Sequence, residues 1–237
     1  MAREKVFRFK QFSVRHEKSA MKVGTDGVLL GAWTNAECAG TVLDIGAGTG
    51  LIALMLAQRS KAKITAIEID DDAAEEANEN FTLSPWGDRL NVVKSDFVDF
   101  AECCEKKFDV IVSNPPYFVD SLECPDEKRG KARHTSSLSF ENLIYGAVKL
   151  LAESGHIYLV TPIEVEAKLD SIIADNECSV TKKVYVCSVV GGEPKRVLWE
   201  IAKGVNECES SRLEIEKERH IYTDDYISLT REYYLKM

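Results

Sequence analysis

The chain is poor in ready-made catalytic and metal-binding patterns. Its seven cysteines include an adjacent pair, Cys103-Cys104, but no C-x-x-C, which excludes the usual zinc and dithiol redox spacings. Seven is an odd number for a disulfide framework, so reduced structural thiols are the expectation. Four scattered histidines form no ligand pair at helical spacing, and no metal is expected. Nor do His, Asp and Ser form a nucleophilic constellation. No apolar run approaches the roughly 20 residues that cross a bilayer, and the opening Met-Ala-Arg-Glu-Lys has no apolar leader core. The expected location is the cytoplasm, with no membrane partner. Internal repeats and low-complexity stretches are also missing.

What is present is globular. The 237 residues are 45% apolar and 29% charged, enough for one domain with a small extension and, by default, a monomer. A net charge of −9 argues against a generic polyanion binder, because phosphate neutralisation supplies non-specific nucleic-acid affinity. The distribution of charge softens that exclusion. Between residues 3 and 22 lie Arg3, Lys5, Arg8, Lys10, Arg15, Lys18 and Lys22 against only Glu4 and Glu17. A second basic cluster, Lys128, Arg129, Lys131 and Arg133, follows the motif at Asn114 and runs into His134. Two basic patches flanking one candidate site suggest local RNA contact, with Lys10, Lys22, Arg129, Lys131, Arg133 and His134 as the contact residues.

From residue 41 onward, short β-rich runs alternate with helical periodicity, the pattern of a mostly parallel sheet with crossover helices. Strands are expected at Thr41–Ile45, Lys63–Ile69, Leu90–Lys94, Phe108–Ser113 and Gly155–Thr161. Helices are expected at Leu51–Arg59, Asp71–Phe81, Leu138–Leu151 and Ile163–Ala174. Val180–Val186 and Val197–Lys203 are too close for a helical crossover and should pair antiparallel through Gly191-Gly192-Glu193-Pro194. Residues 1–40 form an N-terminal extension, with a strand or hairpin around Phe7–Val14 and a helix near Gly27–Trp33. Residues 41–237 form the main α/β domain, ending in a helix over Asp224–Leu235. Five parallel strands closed by an antiparallel hairpin resemble the Rossmann-like, seven-stranded sheet of class I methyltransferases, with helices on both faces.

The strongest local signal is Asp44-Ile45-Gly46-Ala47-Gly48-Thr49-Gly50, where a buried strand runs into an apolar helix. Glycines let the backbone turn and approach a ligand at the carboxyl edge of such a sheet. As a dinucleotide fingerprint the motif fails, since Leu51 stands at the third glycine. Asp44 would also oppose a pyrophosphate, whereas it would favour the ammonium group of S-adenosylmethionine, a cofactor with no phosphate. Glu68 closes the next strand, where a carboxylate can accept ribose hydroxyls. After the third strand comes Ser95-Asp96-Phe97. In methyltransferases this position serves adenine, which would make Asp96 an amino acceptor with Phe97 packed nearby.

The fourth strand runs into Asn114-Pro115-Pro116-Tyr117, which resembles the N-P-P-Y amino-methyltransferase families. An exocyclic amino group on a base is a weak nucleophile, its lone pair delocalised into the ring. Acceptors aimed at its N–H bonds draw the nitrogen toward tetrahedral geometry, and the Asn114 side-chain oxygen and Pro115 carbonyl suit that task. Prolines stiffen the loop, and Tyr117 offers a face for base stacking. Asn114, Pro115, Pro116 and Tyr117 are therefore the catalytic candidates.

Motif chemistry alone stops at amino methylation. Phe7-Arg8-Phe9-Lys10-Gln11-Phe12, Met21-Lys22-Val23-Gly24-Thr25-Asp26-Gly27, Ser84-Pro85-Trp86 and Tyr233-Tyr234-Leu235, together with the glycine and Asn-Pro-Pro-Tyr motifs, resemble the bacterial tRNA1(Val) adenine-N6 methyltransferase family. The resemblance spans nearly the whole chain. It implies methylation of the adenosine at position 37 beside the anticodon, with the anticodon arm as partner. It also implies that Thr25 and Asp26 close over S-adenosylmethionine, and that Asp44, Glu68, Asp96 and Asn114 contact or adjoin it; with the motif residues Gly46, Gly48, Gly50 and Phe97 these make up the expected cofactor site. The rivals are a glutamine methyltransferase acting on a release factor and a cofactor-binding RNA chaperone without catalysis. For Phe7, Phe9 and Phe12, packing in the core is favoured over stacking on RNA.

Overall fold

The structure is a computed structural model and describes residues 5–19, 22–116 and 138–236. In chain order the strands are β1 (Val6–Arg8), β2 (Ser13–Arg15), β3 (Thr41–Ile45), β4 (Lys63–Glu68), β5 (Leu90–Lys94), β6 (Phe108–Ser113), β7 (Leu151–Pro162), β8 (Cys178–Val189), β9 (Pro194–Lys203), β10 (Glu209–Glu218) and β11 (Ile221–Tyr222). The helices are α1 (Thr25–Trp33), α2 (Leu51–Arg59), α3 (Asp71–Leu83), α4 (Phe97–Cys103), α5 (Phe140–Leu150), α6 (Glu166–Asp175) and α7 (Asp224–Thr230).

Nine of these strands form one sheet in the order β11-β10-β8-β9-β7-β6-β3-β4-β5. The run β7-β6-β3-β4-β5 is parallel throughout, and β9 pairs antiparallel with both β7 and β8. These seven are the strands the sequence predicts. The sheet then goes further, with β10 parallel to β8 and β11 turned back on β10. The helix at the C-terminus is shorter than expected, and α4 fills a crossover in which no helix was foreseen.

Alternation along each central strand divides the apolar residues between two cores. Val42, Val110, Val112, Tyr158 and Val160 face the layer that contains α1 and α2. Leu43, Ile45, Ile111, Ile157 and Leu159 face α4, α5 and α6. Coverage on both faces explains why the central strands are almost continuously apolar.

Three separated motifs meet in the N-terminal layer. Phe9 stacks on Phe12 with ring centroids 4.7 Å apart, Phe12 meets Trp86 edge-on at 5.8 Å, and Phe9 lies 5.9 Å from Tyr234. Phe9 and Phe12 are buried and Phe7 packs against the same cluster, so these aromatics are core. The basic residues around them also have partners. Lys5 pairs with Glu17 at 2.9 Å, Arg15 with Glu79 at 3.4 Å, and Lys18 with Glu75 and Glu79 at 2.9 and 3.0 Å. Lys10 donates to the Arg231 carbonyl at 2.5 Å.

Helix α3 is the anchor of this layer. The buried Glu76 carboxylate accepts the backbone N–H groups of Glu17, Lys18 and Ser19 at 2.5, 3.0 and 2.9 Å. Asn80, equally buried, accepts from Arg15 N at 2.8 Å and donates to the carbonyls of Arg15 and Thr49, both at 3.0 Å. One helix therefore fixes both the segment before α1 and the glycine loop.

Candidate active site

The carboxyl ends of β3, β4 and β6 carry the chemistry-bearing residues, and the start of α1 lies opposite. Between them is a cleft of about 450 Å³ lined by Gly24–Gly27, Gly46–Thr49, Leu51 and Ile52, the Asn114-Pro115-Pro116 segment, and the side chains of Lys22 and Arg196. That volume is within the range of roughly 300–1,000 Å³ usual for small-molecule sites.

The glycine loop is shaped from both sides. Gly46, Gly48 and Gly50 all have positive φ, 70°, 55° and 76°. At Gly46 a Cβ would meet nothing within 4 Å, so the backbone there fronts open space. Gly50 is the opposite case: a Cβ would sit 2.4 Å from the Phe81 ring. Replacing Gly50 with Ala should cost roughly 2–4 kcal/mol of stability from the left-handed backbone and the overpacking, read from the midpoint of denaturant unfolding.

Beneath the loop, Asp44 is fully buried. Its Oδ2 accepts from Ala53 N in α2 at 3.1 Å, while its Oδ1 has no hydrogen-bond partner. Burial pushes the Asp44 carboxyl up to about 7; the nearby Glu68 adds to that effect and the Ala53 bond opposes it. Glu68, at the end of β4, accepts from Gly48 N at 2.8 Å, Ile69 N at 2.9 Å and Asp70 N at 3.0 Å. A carboxylate has about four acceptor positions, so Glu68 holds the loop as well as any hydroxyl that reaches it. Asp96 caps α4 through Val98 N at 2.7 Å. The Phe97 ring turns into the core beneath α5, against Gly146, and does not line the cleft.

On the other wall, Ser113 Oγ donates to the Ile45 carbonyl at 2.8 Å, which ties the end of β6 to the end of β3. That bond sets Asn114 beside the glycine loop. Pro115 is buried and Pro116 exposed. Tyr117, Arg129, Lys131, Arg133 and His134 lie outside the described residues. Lys22 does line the cleft, its Nζ donating to the carbonyls of His16 at 2.5 Å and Ser19 at 3.2 Å. The charged cleft residue that the sequence did not single out is Arg196. Arg196, in β9, donates from Nε to Asp26 Oδ2 at 3.0 Å, and nothing in its local pattern marks a lone strand cation as part of a site.

The comparisons agree with this geometry. The Methyltransferase small domain family matches residues 18–187. A tRNA1(Val) (adenine(37)-N6)-methyltransferase of Bacteroides fragilis is 49% identical over 232 residues, covering 98% of both chains. The Aeromonas hydrophila protein of the same name is 44% identical over the full length of both. The chain belongs to this methyltransferase family. Among solved structures, a predicted O-methyltransferase from Agrobacterium tumefaciens superposes with a TM-score of 0.69 at 20% identity, over 88% of this chain and 96% of that one. At that identity the likeness concerns the fold alone, here the class I methyltransferase fold. Among the described residues no helix is long and apolar enough to cross a membrane, and no cluster of His, Cys, Asp and Glu is arranged to hold a metal.

Proposed function

We infer that the protein transfers the methyl group of S-adenosylmethionine to the N6 amino group of an adenine in tRNA, the adenosine at position 37 of tRNA1(Val). The observation that carries this reading is the meeting of Asn114-Pro115-Pro116, the glycine loop and the start of α1 around one cleft, in a chain 49% identical to an enzyme of that name.

The residues present fit the cofactor. The buried Asp44 Oδ1 without a partner answers to a cationic group, and the open space over Gly46 admits a ligand against bare backbone. The first turn of α1 has no side-chain cap, so its amides suit a carboxylate. In this reading Thr25 and Asp26 hold the amino-acid end together with Asp44. Gly46, Gly48 and Gly50 shape the loop against it, Glu68 receives a ribose hydroxyl, and Asp96 serves the adenine. When bound, S-adenosylmethionine supplies an electrophilic methyl on a sulfonium that departs as a neutral thioether.

Asn114 and Pro115 then act on the target amino group. The Asn114 side-chain oxygen and the Pro115 carbonyl accept its two N–H bonds and hold the nitrogen lone pair toward the methyl. No general acid is required, because the leaving group is neutral. Residues 1–40 form the extension that closes over the cofactor, and residues 41–237 the catalytic domain. The anticodon arm is the partner, the cytoplasm the working location, and a monomer the working form. Tyr117 stacks on the base, while Lys10, Arg129, Lys131, Arg133 and His134 contact RNA.

The test uses labelled S-adenosylmethionine and two unmodified tRNA1(Val) transcripts, one with guanosine in place of the adenosine at position 37. Nucleoside mass analysis should find N6-methyladenosine in the natural transcript and no transfer to the other. Methylation of a release factor or of rRNA in place of the natural transcript would overturn the assignment.

A further inference from the structure

Arg196 has no part in the chemistry above, yet it sits in the site. It lies near the start of β9, paired in register with Pro162 of β7 and Val186 of β8, at the carboxyl edge of the sheet. Its side chain lines the cleft with Asn114, Pro115 and Pro116 and remains 33% exposed. Bonds that orient the guanidinium include Nε to Asp26 Oδ2 at 3.0 Å and Nη1 to the Lys195 carbonyl at 2.9 Å. A carboxylate behind an arginine fixes the plane of its fork, and that fork matches the oxygens of a phosphate.

The surroundings indicate which anion it serves. Adenine and its amino group are neutral, and the sulfonium is cationic, so neither calls for a guanidinium. In the function proposed above, the amino-acid carboxylate of the cofactor falls to the first turn of α1, which has no side-chain cap. What remains is the phosphodiester of the nucleotide that enters the cleft. Lys22 lines the same cleft, and its ammonium is bonded to carbonyls, which leave its charge intact. A chain of net charge −9 thus sets two cations, Lys22 and Arg196, on the lining of this cleft, where an RNA backbone would pass.

We propose that Arg196, oriented by Asp26, binds a backbone phosphate adjoining the target adenosine and so positions the base at Asn114. The proposal rests on the tRNA reading and makes Arg196 a positioning residue.

Equilibrium binding of an unmodified tRNA1(Val) transcript, in the presence of S-adenosylhomocysteine and over a series of salt concentrations, tests it. Replacing Arg196 with Gln should weaken RNA binding about tenfold and make the slope of log Kd against log salt shallower by about one phosphate contact. The Kd for S-adenosylhomocysteine, measured by calorimetry, should not change. Arg196→Lys should keep the wild-type slope while binding RNA less tightly, since it retains the charge and loses the fork. An unchanged slope in R196Q overturns the proposal. So does a weakened S-adenosylhomocysteine Kd with RNA binding intact, which would give Arg196 to the cofactor carboxylate. If R196Q binds no S-adenosylhomocysteine, R196K decides: weaker RNA binding on the wild-type slope supports the proposal, and wild-type affinity overturns it. A wild-type protein that neither binds nor methylates the transcript removes the tRNA reading itself, and the proposal with it.

Discussion

Replacing Asn114 with Ala is expected to lower the rate of methyl transfer roughly 100- to 1,000-fold, the effect of removing one positioned acceptor from a transition state, while cofactor binding is unchanged. The target amine develops positive charge only as the new bond forms, so an acceptor on its N–H bonds strengthens during the reaction. Loss of such an interaction lowers kcat and leaves ground-state binding alone. Ser113 Oγ still holds the end of β6 to Ile45 and Pro115 stays buried, so the variant should fold. Asn114→Asp keeps an acceptor in place and should retain more activity than Asn114→Ala. Single-turnover methylation of the tRNA1(Val) transcript, with the cofactor Kd measured in parallel, checks both. If the two variants lose activity equally, or the Asn114→Ala defect lies in cofactor Kd, the acceptor role is wrong.

The parts of the fold legible in the sequence were those with an unbroken physical pattern. Thr41–Ile45, Leu51–Arg59 and Phe108–Ser113 have the boundaries expected, because buried parallel strands and the apolar helix that follows the first leave little choice of register; the edge strand Leu90–Lys94, in which only Leu90 is buried, also has them. Strand β10 gave no such signal. In Glu209–Glu218 only Leu213 is buried, since a strand bordered on its outer side only by the two-residue β11 needs few apolar residues. Helix α4 is short, and its one local sign was Asp96 at the cap. The site divides in the same way. Motifs continuous in sequence, the glycine loop and Asn114-Pro115-Pro116, came together as expected. The Arg196–Asp26 pair joins residues 170 positions apart, and no local pattern encodes such a meeting. The N-terminal lysines and arginines were visible as charge, but their pairing with Glu75 and Glu79 depends on how α3 docks. Phe97 was visible as an aromatic; which core it enters is decided by Gly146 leaving room for its ring.

Asp44→Asn should separate stability from binding. The folded protein raises the Asp44 carboxyl from the ordinary carboxylate range to about 7, chiefly through burial. The folded state thus holds this proton more tightly than the unfolded chain does. The favourable contribution is complete below the unfolded value of about pH 4 and is lost as pH rises through about pH 7. Above that pH the wild-type protein without cofactor keeps an unpaired buried charge that the neutral amide of the variant would not carry. The variant should therefore be the more stable protein at about pH 8, by on the order of 2–4 kcal/mol, with the difference shrinking as pH falls toward about 4. Cofactor binding should move the other way. A cationic ligand group beside the orphaned Oδ1 restores the ionised carboxylate, so the wild-type Kd should tighten up to about tenfold per unit as pH rises toward about 7, with proton release on binding. Asp44→Asn should weaken the cofactor roughly 10- to 100-fold, as expected for loss of a charge-assisted bond, and flatten that pH dependence. No titrating group acts on the target amine, so kcat at saturating cofactor and RNA should stay level where the cofactor Kd changes. Denaturant unfolding without cofactor and calorimetry in buffers of different ionisation enthalpy provide the two readouts. A variant less stable than wild type at about pH 8, or a wild-type Kd indifferent to pH, would mean that Asp44 is not the counter-charge of the cofactor but only a support for the first turn of α2.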